Sequence, residues 1–108
     1  MKNKVIQVQT AVNSEEEAKS LANALIREHL AACVQYFPIS SIYRWKGQIE
    51  ESKEYMILIK SLANKQKEIF SFIKREHTYE LPEIIVTALD DVSLEYCTWI
   101  EEEIKKKK

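Results

Sequence analysis

Apolar positions along the chain recur first with period two and then with the spacing of a helix, and this switch happens more than once. In residues 5–10, Ile6, Val8 and Thr10 alternate with Gln7 and Gln9, which predicts a half-buried strand. Ser14, with Glu17 three residues later, predicts a capping box that satisfies the first orphan amides of a helix. From there Ala18, Leu21, Ala22, Leu25 and Ile26 trace one apolar stripe, closed by Glu28-His29. Residues 32–45 form a β-rich run broken only by Pro38, which lacks an amide for the ladder and so predicts an edge or a bulge. Lys46-Gly47-Gln48 predicts a tight turn in which Gly47, the single glycine, takes positive φ without penalty. A second strand then climbs from Ile49 to Lys60. Ser61 predicts the cap of a helix carrying Leu62, Ile69, Phe70 and Ile73 and closing near His77, and Pro82 stops any continuation. Residues 84–89 read as an apolar strand. Ser93 predicts the cap of a last helix with Tyr96, Trp99, Ile100 and Ile104 on its apolar side, and Lys105 to Lys108 predict a frayed cationic tail.

The resulting order, β-α-β-β-α-β with a C-terminal helix, is the α+β, ferredoxin-like arrangement. The 108 residues make one domain, 1–108. The hairpin joining the second and third strands is too long for such a body. Residues 33–46 span about 46 Å when extended, at roughly 3.3 Å per residue, whereas a chain of this length has a radius of gyration near 13 Å. The ribbon therefore either curls back over its own sheet or projects. Its distal part carries Ile39, Ile42, Tyr43, Trp45 and Ile49, which on a projecting ribbon calls for a partner surface. A homo-oligomer with hairpins pairing between subunits is the expectation.

Charge narrows the function classes. Sixteen Lys and Arg nearly cancel seventeen Asp and Glu, leaving −1 at pH 7. That supplies no bulk field for nucleic acid or anionic lipid, so neither partner is expected. No apolar stretch is long enough to span a bilayer, and the N-terminus has no apolar segment of a secretion signal, which predicts a cytoplasmic protein. Cys33 and Cys97 are too far apart for a CxxC motif and sit in apolar contexts, where packing competes with chemistry as their role. No GxSxG, Walker-type loop, HExxH or dinucleotide fingerprint is present. With a single glycine, a backbone phosphate cradle is hard to build. The expectation is a protein that is not an enzyme.

Four segments are similar to those of one known family. Leu30-Ala31-Ala32-Cys33-Val34-Gln35 resembles the LAACVN segment of CutA proteins, and Ser41-Ile42-Tyr43-Arg44-Trp45-Lys46-Gly47, followed by Glu50 and Glu51, resembles their SxYxWxG hairpin. Residues 77–84, His-Thr-Tyr-Glu-Leu-Pro-Glu-Ile, are similar to HPYExPEI, and Tyr96, Trp99 and Ile100 match YxxWI. The resemblance implies a ferredoxin-like subunit in a tight homotrimer, related in shape to PII-class signalling trimers, and a role in tolerance of divalent metals, copper above all. In animals the family is linked instead to localisation of acetylcholinesterase. Two departures stand out. Thr78 replaces the family's proline, which loosens the loop, and Gln9 stands where some members carry a cysteine proposed as a copper ligand.

The candidate metal ligands are His77, Glu83 and Glu80, imidazole suiting copper or zinc and carboxylates adding charge. They fall short of a closed four-ligand shell unless a neighbouring subunit completes it, so no cofactor is required and Cu(II) or another divalent cation is expected to bind weakly. The alternative for His77 is a cap on a helix C-terminus. His29 has no second ligand near it in sequence and reads as a helix end. Tyr43, Trp45, Tyr79 and Trp99 are the candidates for an intersubunit interface or pocket. Three functions stay open: a metal-tolerance trimer, a PII-like regulator with a small ligand in its subunit clefts, and an assembly module that recruits other proteins.

Overall fold

Strand β1 (Val5–Val12) runs through the interior of a four-stranded sheet in the computed structural model, which describes residues 4–105. It is followed by helix α1 (Glu15–Arg27), strands β2 (Cys33–Trp45) and β3 (Gln48–Leu62), a 3-10 turn (Ala63–Lys65), helix α2 (Gln66–Glu76), strand β4 (Ile85–Ala88) and helix α3 (Leu94–Lys105). The sheet order is β2-β3-β1-β4, with every pairing antiparallel. This is the ferredoxin-like order expected from the element sequence. The expectations for Met1 to Asn3 and for the end of the lysine tail, 106–108, lie outside the described residues; Lys105 is the last residue of α3. Among the described residues no helix is long and apolar enough to cross a membrane.

The period-two pattern decides what each sheet face meets. Ile6, Val8 and Val12 of β1 and Ile57 and Ile59 of β3 share one face, where α1 and α2 cover them with Ala18, Leu21, Leu25, Ile69 and Ile73. Thr10 lies among them, fully buried, and its hydroxyl has no hydrogen-bond partner among the described residues. A desolvated hydroxyl without a partner costs about 1–3 kcal/mol, so Thr10→Val, which keeps the volume, is expected to raise stability by about 1 kcal/mol. Thermal unfolding checks this; a lower midpoint would reveal a bond to the hydroxyl.

On the opposite face α3 covers only one end, packing Ile100 and Ile104 on Val5 and Leu62. The Ser93 hydroxyl accepts the Tyr96 amide at 3.2 Å, so Ser93 caps this helix as expected. Burial, and then the Cys33 thiol beside it, hold the Tyr96 hydroxyl above its ordinary range. Both cysteines are half-buried and free. The rest of this face is open. Phe37, 45% exposed, and Ile85, 48% exposed, flank half-buried Met56 and Leu58, with exposed Trp99 and Tyr96 on α3.

The hairpin projects. β1 pairs with β3 only at residues 55–62, so residues 48–54 of β3 and their partners 39–45 of β2 run past the end of the sheet core. The radius of gyration is 14.6 Å and the longest dimension 47 Å, against 29 and 22 Å across. The β2–β3 register is continuous through Pro38, which pairs with Tyr55, so the proline marks an edge strand and not a bulge. Lys46, at φ 51°, and Gly47, at φ 82°, make the two-residue turn.

Two local expectations are corrected. Ser61 does not cap a helix: it ends β3, fully buried, and its hydroxyl donates to the Leu30 carbonyl at 2.6 Å, while Leu62 also belongs to the strand. In the capping box Ser14 accepts the Glu17 amide as expected, but the Glu17 carboxylate reaches back to the Asn13 amide and not to that of Ser14. His29, by contrast, closes α1 as expected, in the left-handed region (φ 59°). Its amide donates to Ile26 and that of Leu30 to Leu25, a Schellman closure. The His29 ring Nδ1 also lies 2.9 Å from the Glu103 carbonyl, which ties α1 to α3.

Candidate functional site

The segment between α2 and β4 has no regular structure over residues 77–84, yet four side-chain hydrogen bonds fasten it to three other elements. His77 closes α2 with its backbone, donating its amide to the Ile73 carbonyl at 2.8 Å. Its ring does not lie on the helix end. Nε2 is 2.8 Å from the Ala11 carbonyl, and Nδ1 accepts the Tyr79 amide at 3.1 Å. An amide can only donate and a carbonyl only accept, so the ring is the Nε2–H tautomer and neither nitrogen keeps a free lone pair. Thr78, in place of the family's proline, donates from its hydroxyl to the Glu17 carboxylate at 3.3 Å, so the loop is tethered where loosening was expected.

Glu83 accepts from the Gln9 amide at 2.8 Å, so the residue standing in place of a cysteine holds one of the candidate ligands. Tyr79 donates its hydroxyl to Glu54 at 2.8 Å. Burial, followed by the bond to Glu54 and its charge, pushes the Tyr79 hydroxyl well above the ordinary tyrosine value of 10.0. Its proton stays in place through the physiological range.

Between this loop and the near side of the projecting hairpin lies an open cleft of about 820 Å³. Tyr43, Trp45 and Tyr79 line it, with Glu54, Glu80 and Glu83. Cross-strand geometry sets this. Odd positions of β2 and even positions of β3 share a face, so Tyr43 reaches Ser52, the two hydroxyls 2.8 Å apart. Lys46 lies over the Trp45 ring, 5.7 Å from its centroid. The structure thus brings Tyr43, Trp45, Tyr79, Glu80 and Glu83 around one cavity, with His77 behind its wall. Trp99 is not part of it: it sits on α3 against Tyr96, ring centroids 5.6 Å apart, beside the open sheet face. Among the described residues no three His, Cys, Asp or Glu side chains are grouped to hold a metal ion.

Sequence reasoning missed Glu54. Among the described residues it is the single charged one that is buried, 9% exposed, and it faces the cleft. The signal was present: Glu54, Met56 and Leu58 have the same parity on β3, which puts the carboxylate on an apolar face.

The comparisons with known proteins bear on the family and the fold. Residues 6–103 match the family model described as CutA1 divalent ion tolerance protein. The divalent-cation tolerance protein CutA of Thermus thermophilus is 38% identical over 92 residues, covering 84% of this chain and 89% of that protein. That of Thermotoga maritima is 33% identical over 100 residues, covering 93% and 99%. The solved structure of the periplasmic divalent cation tolerance protein CutA from Archaeoglobus fulgidus superposes with a TM-score of 0.92 at 32% identity, covering 94% of this chain and 99% of that one. With four ordered motifs, a ferredoxin-like sheet and a matching family model over nearly its whole length, this chain belongs to the CutA1 divalent ion tolerance family.

Proposed function

We propose that the chain serves divalent-cation tolerance as a homotrimer that is not an enzyme and that binds cations weakly. One observation carries the assembly: the uncovered sheet face, with Phe37, Met56, Leu58 and Ile85, runs on into the projecting ribbon. An apolar face continuous with two unpaired strand edges is the combination that another copy of the chain satisfies, by packing and by strand pairing together. Trp99 and Tyr96, exposed at the border of that face, would join the contact.

Weak cation binding follows from the ligand set. The His77 ring is occupied by two backbone groups, which leaves Glu80 and Glu83 at the cleft as the oxygen ligands available to an ion that keeps much of its water. Copper would need His77 to give up the Tyr79 amide. Sedimentation velocity is expected to give the mass of three 12.7 kDa chains, about 38 kDa. A single species at the protomer mass would end the trimer reading. A second function, regulation by a small ligand, is favoured by the cleft itself, whose volume exceeds what a hydrated ion fills.

A further inference from the structure

We propose that the deep end of the cleft binds the ammonium group of a small organic amine, with Glu54 as its counter-charge. This rests on the small-ligand reading and names its ligand class; it does not depend on the metal reading.

The first ground is the state of the Glu54 carboxylate. An ionised carboxylate offers about four lone-pair positions. Among the described residues Glu54 receives one hydrogen bond, from Tyr79 to Oε2; Oε1 has no partner, and no cation lies within ion-pair distance. Lys53, its neighbour in the chain, is on the other face of the ribbon and donates to Ser40. A carboxylate nine-tenths buried that receives one neutral donor keeps acceptor capacity on Oε1, the oxygen open to the cleft, for a cationic donor. Tyr79 keeps its proton and so remains a donor that fixes the carboxylate in place.

The second ground is the shape and lining of the space in front of it. About 820 Å³ lies within the range of small-molecule sites and is far more than a bare ion fills. The carboxylates do not converge as metal ligands do. Glu54 sits deep, whereas Glu80 and the Gln9-bonded Glu83 belong to the loop side. The rings of Tyr43, Trp45 and Tyr79 line the same space, and aromatic faces attract an organic cation while tolerating its carbon chain. Three carboxylates against one guanidinium, Arg44, give the lining a negative balance. An ammonium group has three donors for Glu54 Oε1 and its surroundings, and its alkyl part has aromatic walls.

Calorimetric titration of the assembled full-length protein with 1,4-diaminobutane tests this, with 1,4-butanediol and succinate as comparators of similar length. The diamine is expected to bind at one site per chain at millimolar concentration or below, and neither comparator is. Glu54→Gln is expected to lower the diamine affinity by at least about tenfold with mass and circular dichroism unchanged. Trp45→Ala, near the exposed hairpin tip, gives a second reading that does not risk the fold, and a weakening of several-fold is expected. No heat with the diamine, or equal affinity in Glu54→Gln and in Trp45→Ala, overturns the proposal. Binding of succinate alone overturns the amine and keeps the small-ligand reading. If Glu54→Gln dissociates the assembly and the native protein ignores the diamine, Glu54 is neutralised by a cation of a neighbouring copy, and the proposal falls.

Discussion

Phe37→Asp is expected to turn a trimer of about 38 kDa into folded protomers of 12.7 kDa. Phe37 stands on edge strand β2, opposite Met56, on the sheet face that α3 leaves open. In the protomer it is 45% exposed, so an aspartate there costs the isolated fold about 1 kcal/mol, mostly through lower strand propensity. In an assembly that covers this face the cost is larger. Each copy forfeits roughly 1.5–3 kcal/mol of aromatic burial and must also desolvate a carboxylate. Symmetry applies that loss three times, so the trimer weakens by roughly 5–9 kcal/mol or more, several powers of ten in association. Sedimentation velocity reads the mass and circular dichroism the fold. Ile26→Asp is the control. Ile26 is 41% exposed, on the outer surface of α1, and its replacement is expected to leave the mass unchanged. A trimer that survives Phe37→Asp would show that the open face is not the contact.

The helix-covered face, with Ile6, Val8 and Thr10, was legible in the alternation of β1, whereas the open face was not. Alternation in residues 5–10 and the apolar run ending the third strand fixed which side chains share a face, because a strand has no other choice at period two. The hairpin's length left curling back or projecting as the choices, and the ribbon projects. Ser61 failed for the opposite reason. A serine after a strand and before a helical stripe carries the local signature of a cap, but its hydroxyl serves the carbonyl of Leu30, a bond across thirty-one positions that no local pattern shows. The site divides in the same way. Tyr43, Trp45, Tyr79 and Trp99 were read together as an intersubunit interface or pocket; within one chain the first three line one cavity and Trp99 sits on α3 beside the open sheet face. Glu54 hid in the charged run Glu50-Glu51-Ser52-Lys53-Glu54, which reads as a solvated ribbon. Strand parity places it on the face of Met56 and Leu58, and Tyr79 of the 77–84 loop reaches it there, a contact that no local pattern shows.

His77→Ala is expected to lower stability strongly while leaving copper affinity where it was, and the two readouts together decide what the histidine does. The ring joins β1 to the loop through its contacts with the Ala11 carbonyl and the Tyr79 amide. Ala11 is 3% exposed, so truncation leaves its carbonyl without a donor in a place water reaches poorly. One orphaned buried acceptor costs about 1–3 kcal/mol, and loss of the second bond about 1 kcal/mol, giving roughly 2–4 kcal/mol in total. For a domain of this size that corresponds to a fall of about 10 °C or more in the unfolding midpoint. The freed Tyr79 would also hold Glu54 less firmly, so the cleft loosens together with the fold. A metal ligand behaves otherwise. If copper displaces the Tyr79 amide from Nδ1, the apo protein tolerates His77→Ala only as far as the structural bonds allow, but copper heat falls sharply in calorimetric titration. His77→Gln separates the terms further: its amide restores both a donor and an acceptor near the two backbone groups without an imidazole. Its midpoint is expected between those of the native chain and His77→Ala, with weak copper binding preserved in all three. Copper binding lost in both variants would return His77 to the metal, and a midpoint unmoved by His77→Ala would show that Ala11 and Tyr79 find other partners.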